Sequence, residues 1–294
     1  MRNTVTVAIV TRNRAADLDM CLSSLLKQTI IPPRILIVDN ASTDNTREVI
    51  RRHSVNLSIR VINEHKKGYA AVYNRALTET KTSWIAFIDD DCVAKDTWYE
   101  SILHAVEQYP QYSAISGASL NYYRENIYAC AFQFQYAYWQ KKARDKKNIL
   151  DYRSLDSRNI MYNKKRLLHY HIKFDTTFAF GAEDGDLGLQ LQKKQLLAIH
   201  SDSMIVYHKE PTMAISYMRK KMQQSRAFRQ LYMKWNAIEC THPSTKLTTR
   251  QTLKIFLTAT AKLSLIGKFV VMNLAIIDYV YTRIFSSYVR RFGK

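Results

Sequence analysis

Glycine is scarce in this sequence, at 7 of 294 residues. The chain contains neither a G-x-G-x-x-G fingerprint nor a Walker A glycine–lysine loop, which excludes the two common glycine-rich cradles for nucleotide phosphates. A phosphate-binding site in this protein must therefore neutralise phosphate charge by other means. Turns also have few glycines to use, and we expect asparagine, aspartate and lysine to replace them.

Cysteine and long apolar runs are scarce as well. No C-x-x-C pair occurs, which argues against a cysteine zinc site and for reduced thiols in the cytosol. The opening "MRNTVTVAIVTRNR" has too short an apolar stretch before Arg12 and Arg14 for a secretory signal, and it predicts a first strand. No clean run of about 20 apolar residues is present. The four cysteines are scattered: Cys21, Cys92, Cys130 and Cys240.

The net charge of +19 is unevenly distributed. Residues 216–294 carry 15 lysines and arginines against two acids, whereas the other 215 residues carry 29 bases and 23 acids. With 47% hydrophobic residues the chain is globular. We therefore predict a mixed-charge domain over 1–215 and a basic helical module over 216–294. Such a module is expected to bind phosphate groups, either of nucleic acid or of a membrane surface.

Strand and helix patterns alternate along the first part of the chain. This order predicts an α/β fold with a parallel sheet flanked by helices, in which ligands bind at the carboxyl ends of the strands. The apolar periodicity predicts strands over 5–11, 34–40, 58–64 and 83–89. It predicts helices over 16–28 and 68–80, and a third within 42–54 with Ser42 or Thr43 as its N-cap.

Polar clusters end three of these strands, at Thr11–Asn13, Asp39–Asn40 and Asp89–Asp91. Each cluster alone is typical of a turn, but three at one edge of one sheet predict a binding site. Three adjacent aspartates repel one another. Either they form a solvated acidic turn, or they hold Mg²⁺ or Mn²⁺, which would bridge the oxygens of a diphosphate.

Several ordered motifs carry a family resemblance. "VAIVTRNR", "ILIVDNASTDNT", "NEHKKGYAAVYNRAL" and "WIAFIDDD" resemble the nucleotide-binding half of family 2 inverting glycosyltransferases, which have the GT-A fold. "SRNIMYNKKRL", "IKFDTTFAFGAEDGDLGLQLQ" and "SMIVYHKEP" are similar to that family's acceptor-side segment, acidic ED motif and strand ending in histidine. The resemblance covers about residues 5–215 and is of the rhamnosyltransferase-like or cell-surface glycan type. It implies a nucleotide-binding half over 1–95 and an acceptor-binding half over 96–215.

The resemblance implies a donor site for a nucleotide-diphosphate sugar. Asp39 would accept a hydrogen bond from the imide N–H of uracil or thymine, and Asp89 would hold the ribose or the adjacent phosphate. The metal, Mn²⁺ or Mg²⁺, would bind Asp91 with Asp89 and His208. On its own, a histidine at this position is more often a plain strand-end residue, and Arg75 is equally well explained as a solvated helix charge. The other implied donor residues are Thr11, Arg12, Asn13, Asn40, Lys67, Gly68, Asn74, Arg75 and Asp90.

The acidic knot "GAEDGDLG" implies the catalytic base. Inverting transfer needs one carboxylate that takes the proton of the acceptor hydroxyl. The motif indicates Asp184 first and Glu183 second, with Asn159 and Gly181 on the acceptor side. Capping of a helix by Asp184 or Asp186 is the structural alternative.

The basic module contains a cationic amphipathic stretch over 216–235 and an apolar stretch over 252–285. If the apolar stretch is one helix, its polar residues fall within an arc of about 140°. This pattern favours a helix lying in an anionic membrane interface. A helix packed on the catalytic domain or on a second copy of the chain is the alternative. The residues of the arc are Lys254, Lys262, Lys268, Asn273 and Arg283.

These observations predict a metal-dependent inverting glycosyltransferase. It would transfer a sugar from a UDP- or dTDP-sugar, with GDP also open, to a hydroxyl of a glycan or lipid-linked acceptor. It would act in the cytoplasm, at the cytosolic face of the membrane. The alternatives are a basic nucleic-acid-binding protein and a sugar nucleotidyltransferase. The aromatic stretch 121–148 fits an acceptor platform or ordinary core packing equally well.

Overall fold

The computed structural model describes residues 5–145, 147–150, 155–178, 181–239 and 247–292. At 236–239, 278–279 and 281–292 only the backbone is described. Cys240 and the side chains of Asp278 and Arg283 therefore lie outside the described part. The chain divides into two compact units, Met1–Leu120 with Lys146–His208, and Asn121–Asp145 with Lys209–Lys294.

The first unit alternates strands and helices, as the sequence predicts. Its first part contains β1 (Val5–Thr11), α1 (Ala15–Leu26), β2 (Ile35–Asp39), α2 (Thr46–His53), β3 (Ile59–Asn63), α3 (Tyr69–Glu79) and β4 (Trp84–Ile88). It continues with β5 (Cys92–Ala94), α4 (Trp98–Gln108) and β6 (Ala114–Asn121). Helix α5 (Ile127–Lys142) follows in the second unit. The first unit resumes with β7 (Ile149–Leu150), β8 (Asn159–Asn163), α6 (Lys164–His169), α7 (Glu183–Lys193) and β9 (Ala198–His208).

Across the described residues, nine strands form one sheet in the order β3-β2-β1-β4-β8-β6-β9-β5, with β7 beside β9. β1 pairs in parallel with β2 and β4, and β2 pairs in parallel with β3. β8 is antiparallel to β4 and β6, and β9 is antiparallel to β5 and β7. The predicted α/β class with a parallel nucleotide-side sheet is confirmed. Because β1, β2 and β4 are parallel, their carboxyl ends share one edge.

Strands β1, β2 and β4 are buried on both faces, whereas β3 at the edge of the sheet is largely exposed. In β1, Val5, Val7 and Ile9 pack into one core cluster, and Ala8 and Val10 pack into another. This alternation follows from the two-residue repeat of a strand. β2 and β4 alternate between the same two clusters. These three strands are therefore continuous apolar runs, and their bounds can be predicted from the sequence for that reason.

Helix α2 begins later than its sequence predicts. Ser42 and Thr43 are the favoured N-caps, but the helix starts at Thr46. Both residues have other hydrogen bonds, because Ser42 Oγ accepts from the Asn13 N–H and the Thr43 N–H donates to Asn13 Oδ1. They tie the loop after β2 to the loop after β1 instead of capping a helix.

The second unit is helical and contains α5 with α8 (Ala214–Glu239), α9 (Thr249–Ala259) and α10 (Leu265–Phe292). Its core takes Phe132 from α5, Tyr217 from α8, Phe256 from α9 and Val271 from α10. Residues 121–145 thus group with the C-terminal helices, whereas the sequence divides the chain at residue 215. The reason is that α5 supplies the apolar surface on which the basic helices pack. Core packing explains the buried part of the aromatic stretch.

The apolar stretch 252–285 is not one helix. It is broken between α9 and α10, where Thr260 Oγ1 donates to the carbonyl of Phe256 and Ser264 Oγ accepts from the Gly267 N–H. Hydroxyls that bond to nearby backbone groups end one helix and begin the next. The arc expected for a single helix is therefore wrong. In the part of the chain that the structure describes, no helix has the length and apolarity needed to span a bilayer.

Candidate active site

The ends of β1 and β2 meet at the shared edge of the sheet. Thr11 pairs with Asp39 in the parallel register, and the Asn40 N–H donates to the Thr11 carbonyl at 2.9 Å. Thr11 and Asp39 are buried. Asp39 Oδ1 accepts from the Ser42 N–H at 3.0 Å. The parallel pairing therefore brings together two polar clusters that are far apart in the sequence.

Asparagine side chains hold the loops around this edge. Asn13 has a left-handed backbone with φ 52°, as expected for a chain with few glycines, and its Oδ1 accepts from the Thr43 N–H at 2.7 Å. Asn40 Nδ2 donates to the carbonyls of Glu64 at 2.6 Å and Lys66 at 2.9 Å. The loops after β1, β2 and β3 are thus fixed to one another before any ligand binds.

The three aspartates after β4 have different partners. Asp90 accepts from Thr11 Oγ1 at 2.8 Å and from Arg14 Nη1 at 3.0 Å. Arg14 Nη1 also donates to Asp91 Oδ2 at 2.7 Å. The hydroxyl of Tyr73 lies 3.5 Å from Asp89 Oδ1. Arg14 therefore offsets part of the repulsion within the triplet, so the cluster is not a solvated acidic turn.

Asp89, Asp91 and His208 form a cluster with the chemistry of a metal site. Each offers one ligand atom, and these three atoms lie within 4.8 Å of one another. His208 is brought there because it pairs with Cys92 in the β5–β9 register, and its Nε2 lies 3.3 Å from Asp91 Oδ1. Two carboxylates and an imidazole are donors that suit Mn²⁺ or Mg²⁺. The residues present thus fit a divalent cation.

The electrostatics of the triplet favour an added positive charge. Burial, followed by the charge of Asp91, raises the pKa of Asp89 to about 7. Burial raises the pKa of Asp90 to about 6, although Arg14 opposes the shift. A nearby cation favours the charged form of a carboxylate. The cluster therefore becomes fully ionised most readily when a cation is bound.

A second pair of carboxylates begins helix α7. The backbone turns into the helix through Gly181, with φ 106°, and Ala182, with φ 65°. The left-handed Ala182 is strained, and such strain often accompanies functional sites. The N-cap residue Ala182 makes no side-chain hydrogen bond, whereas Asp184 and Asp186 lie in the first turn, where the helix dipole stabilises acids, so this structural alternative stays open. Both Glu183 and Asp184 are in the first turn of the helix.

Ser157 fixes one oxygen of Asp184. Its N–H and Oγ donate to Asp184 Oδ2 at 3.1 and 2.8 Å. Asp184 Oδ1 and Glu183 Oε2 are buried and have no hydrogen-bond partner among the described residues. Asp184 itself is partly exposed, whereas Glu183 is only 4% exposed. Asp184 is thus held by one oxygen, and its other oxygen has no hydrogen-bond partner among the described residues.

Burial also dominates the acidity of this pair. It raises the pKa of Glu183 to about 7, against the opposing effect of backbone hydrogen bonds and with a smaller contribution from the charge of Asp89. It raises the pKa of Asp184 well above its ordinary value, with a further contribution from Glu183. Carboxylates with raised pKa values are stronger bases when they are ionised, which is the property required of a catalytic base near neutral pH.

Glu183→Gln is expected to stabilise the metal-free protein at pH 8 by about 2 kcal/mol. The folded-state pKa of Glu183, about 7, lies above its ordinary 4.5. Between these values the folded state binds more protons, so stability falls as pH rises through the window. The neutral amide removes the cost of the buried charge at pH 8 and has little effect at pH 5, where the native carboxyl is already protonated.

Thermal unfolding in EDTA at both pH values measures this effect, which corresponds to a rise of ~5 °C in Tm at pH 8. Glu107→Gln is the matched control, because Glu107 is exposed on α4. An equal stability change at pH 5 and pH 8 would show that Glu183 carries no buried charge.

Asn159 is placed differently from its predicted acceptor-side role. It is fully buried, at 0% exposure. Its Oδ1 accepts from Trp98 Nε1 at 2.9 Å, and its Nδ2 donates to the carbonyls of Ala118 at 3.0 Å and Met204 at 2.8 Å. The side chain is saturated within the sheet, and we reassign it to the core.

Two predicted donor residues on α3 also have structural partners. Asn74 exchanges two hydrogen bonds with the backbone of Phe174, at 2.7 and 3.0 Å. Arg75 pairs with Glu79 one turn later at 3.0 Å, which supports the solvated-charge alternative. Three further predicted residues lie in the loops after β1 and β3, namely Arg12, Lys67 and Gly68.

Sequence reasoning missed Arg14, Ser157 and Tyr73. Arg14 follows the Thr11–Asn13 cluster directly, so its proximity to the triplet could have been inferred from the parallel register. Ser157 precedes β8, which pairs Asn159 with Ile88 beside the triplet. Tyr73 lies on the buried face of α3 and gives no local signal of its role.

Comparison with known proteins decides the family. Residues 6–181 match the sequence profile described as "Glycosyl transferase family 2". The chain belongs to glycosyl transferase family 2. The matched range contains the strand-end clusters and Ser157, and it ends just before the Glu183–Asp184 pair.

Curated relatives match about a third of this chain. Glycosyltransferase AglE of Haloferax volcanii is 34% identical over 101 residues, 33% of this chain and 33% of its own length. Validoxylamine A glucosyltransferase of Streptomyces hygroscopicus subsp. limoneus is 32% identical over 105 residues, 34% of this chain and 23% of its own. The chain thus spans about a third or less of these relatives.

Solved structures show the same fold over nearly the whole chain. Mannosyltransferase PcManGT from Pyrobaculum calidifontis, in complex with GDP-Man and Mn²⁺, has a TM-score of 0.60 at 18% identity and covers 99% of this chain and 88% of its own. S. aureus TarS 1-349 in complex with UDP-GlcNAc has a TM-score of 0.57 at 13% identity and covers 98% and 92%. The predicted GT-A fold of family 2 is confirmed.

Proposed function

We propose that this protein is a metal-dependent inverting glycosyltransferase that moves a sugar from a nucleotide-diphosphate sugar to an acceptor hydroxyl. The observation that carries the proposal is a pair of distinct acidic groups in one unit. Asp89, Asp91 and His208 have the composition of a metal site. Asp184 is held by Ser157 with one oxygen left unpaired.

The first group and its surroundings would bind the donor. Asp39 would accept the imide N–H of a pyrimidine base, and the loops around Asn13 and Asn40 would shape its pocket. Asp89 and Asp91 would hold Mn²⁺ or Mg²⁺ together with His208. When bound, such an ion neutralises diphosphate charge and stabilises the leaving group. Arg14 would keep Asp90 and Asp91 oriented through its two hydrogen bonds.

The second group would supply the base. Asp184 would take the proton of the acceptor hydroxyl on Oδ1 as that oxygen attacks the anomeric carbon. Ser157 would hold Oδ2, so that the free oxygen keeps a single orientation. Glu183 is the second candidate, since its Oε2 is also unpaired. A positioned base typically contributes about 10²–10⁴ to the rate.

The proposed donor and acceptor classes rest on the chemistry of these side chains and on the ligands of two similar solved structures. PcManGT is in complex with GDP-Man and TarS with UDP-GlcNAc, which supports a nucleotide sugar here. We favour a UDP- or dTDP-sugar because Asp39 complements an imide N–H, with GDP as the other option. The acceptor would be a hydroxyl of a glycan or of a lipid-linked glycan, reached at the cytosolic face of a membrane.

A sugar nucleotidyltransferase needs a metal but not the Asp184 arrangement. A nucleic-acid-binding protein explains neither acidic group. Both alternatives are weaker for that reason.

The test is release of nucleoside diphosphate from UDP-, dTDP- and GDP-sugars, with water taking the sugar in place of the glycan hydroxyl, and with Mn²⁺, with Mg²⁺ and with EDTA. We expect one donor family to release nucleoside diphosphate only when metal is present. Formation of pyrophosphate from a nucleoside triphosphate and a sugar phosphate would instead identify a nucleotidyltransferase. An absence of turnover with every donor would contradict the proposal.

A further inference from the structure

Helix α8 has an outward face that combines methionines with arginines. Ile215, Met218, Met222 and Met233 are between 53% and 65% exposed. At about 100° per residue these four side chains fall within an arc of roughly 60°. Arg226 and Arg229 are exposed and lie within or beside the same arc. We name these six residues the cationic face.

Two lysines of α8 point inward, whereas Arg219 and Lys234 are exposed outside the arc of this face. Lys220 pairs with the buried Glu210 at 3.1 Å and lies 4.6 Å from the ring centre of Phe132. Lys221 lies 4.7 Å from the same ring and contacts Gln135. Lys220 and Lys221 hold the second unit together, so the outward charge of α8 comes from Arg219, Arg226, Arg229 and Lys234.

Helix α10 presents a longer apolar surface. One side of the helix is buried, with Val271 in the core of the second unit beside Cys130 and Phe132. The opposite side carries seven exposed apolar residues within an arc of roughly 140°, interrupted by Asn273. We name these residues the apolar stripe: Leu265, Ile266, Phe269, Met272, Ile276, Ile277 and Val280, which are between 47% and 84% exposed.

Such a surface requires a partner. Contiguous exposed apolar patches of this kind mark interaction sites. The stripe extends over 16 positions of helix, about 24 Å at 1.5 Å per residue, which suits a helix lying flat in an interface. The flanking charge is positive at Lys268, whereas Lys262 pairs with Glu125 at 3.8 Å. Arg226 and Arg229 have no ion-pair partner within the described part of the chain.

We propose that the cationic face and the apolar stripe dock on a lipid bilayer that exposes anionic headgroups. The stripe would enter the boundary between headgroups and acyl chains, and the arginines would contact lipid phosphate. Docking of this kind needs no helix that crosses the membrane.

The other occupants fit less well. A second copy of the chain would bring the same arginines together, and the described part of α8 supplies no acid to pair with them. Nucleic acid complements the arginines but offers no partner for an aliphatic stripe, since its recognition relies on aromatic stacking with basic residues. The proposal extends the membrane location in the proposed function, but it is measured without donor or acceptor, so the two can fail separately.

The test is co-sedimentation of the full chain with phosphatidylcholine vesicles that contain or lack 30% phosphatidylglycerol. We compare the wild type with Arg226→Gln/Arg229→Gln and with Ile266→Ser/Phe269→Ser. These side chains are exposed, so the fold is expected to persist, and thermal unfolding checks it. The matched control is Lys27→Gln/Arg47→Gln, which removes two exposed charges from the first unit.

We expect binding to the anionic vesicles at least about tenfold tighter than to neutral ones. Each near-surface arginine contributes about 1 kcal/mol, so the arginine variant should lose about tenfold or more. The serine variant should lose a similar factor, and the control should bind nearly as the wild type does. Equal binding by all four proteins, or none by the wild type, would overturn the proposal. A dimer in solution that the serine variant converts to a monomer would assign the stripe to a second copy.

Discussion

Asp184→Asn is expected to lower kcat by about 10³-fold while nucleotide affinity stays within about twofold of the wild type. The amide keeps the shape of the side chain and still accepts from Ser157 through its carbonyl oxygen. It cannot take a proton from the acceptor hydroxyl. The loss therefore falls on the chemical step and not on donor binding.

Steady-state rates and nucleotide affinity, measured on the same preparation, separate these effects. Ser157→Ala should give a smaller loss, about tenfold, because the Ser157 N–H still holds Asp184 Oδ2. Asp96→Asn is the control, since Asp96 is exposed in the same unit. If Asp184→Asn stays active and Glu183→Gln loses the 10³-fold, the base is Glu183.

Asp91→Ala is expected to weaken Mn²⁺ binding by at least about 100-fold. Asp91 is central to the cluster, because Oδ1 faces His208 Nε2 and Oδ2 accepts from Arg14. The substitution removes one of the three candidate metal ligands. It also leaves Asp90 as the remaining carboxylate of the triplet that pairs with Arg14. The fold should be retained, since loss of one carboxylate relieves repulsion within the triplet.

Titration of the free-Mn²⁺ EPR signal measures this affinity directly, without a donor or a turnover assay. Asp96→Ala provides the matched control, as the same substitution at an exposed aspartate nearby. Wild-type affinity in the Asp91 variant would place the metal elsewhere and would remove His208 from the proposed ligand set.

Local sequence patterns were sufficient for the nucleotide-side strands. β1 lies at Val5–Thr11, where its sequence predicts it, because a strand buried on both faces is an unbroken apolar run. The polar residues that end β1, β2 and β4 then converge because parallel strands share an edge. Their convergence can be predicted once the strands are known to be parallel, and the alternation of strands and helices along the chain predicts a parallel sheet.

Long-range contacts explain what the sequence could not predict. Ser157 donates a hydrogen bond to Asp184, 27 positions later in the chain. Asn159 donates hydrogen bonds to backbone carbonyls of two other strands. Nothing local distinguishes either residue from an ordinary polar side chain. The break at Thr260–Ser264 was hidden because apolar periodicity continues on both sides of it. The cap of α2 was misplaced because Ser42 and Thr43 bond to Asn13, a residue about 30 positions earlier.

This sheet edge is expected to bind a nucleoside diphosphate through a divalent cation. Thermal unfolding with UDP, dTDP or GDP, each with and without Mn²⁺, tests it most directly. A ligand that binds only the folded state at 100 times its Kd adds about 2.7 kcal/mol of stability. We predict that at least one nucleotide raises the Tm only when Mn²⁺ is present. Cooperative unfolding with no shift for any nucleotide, with or without Mn²⁺, would contradict the account.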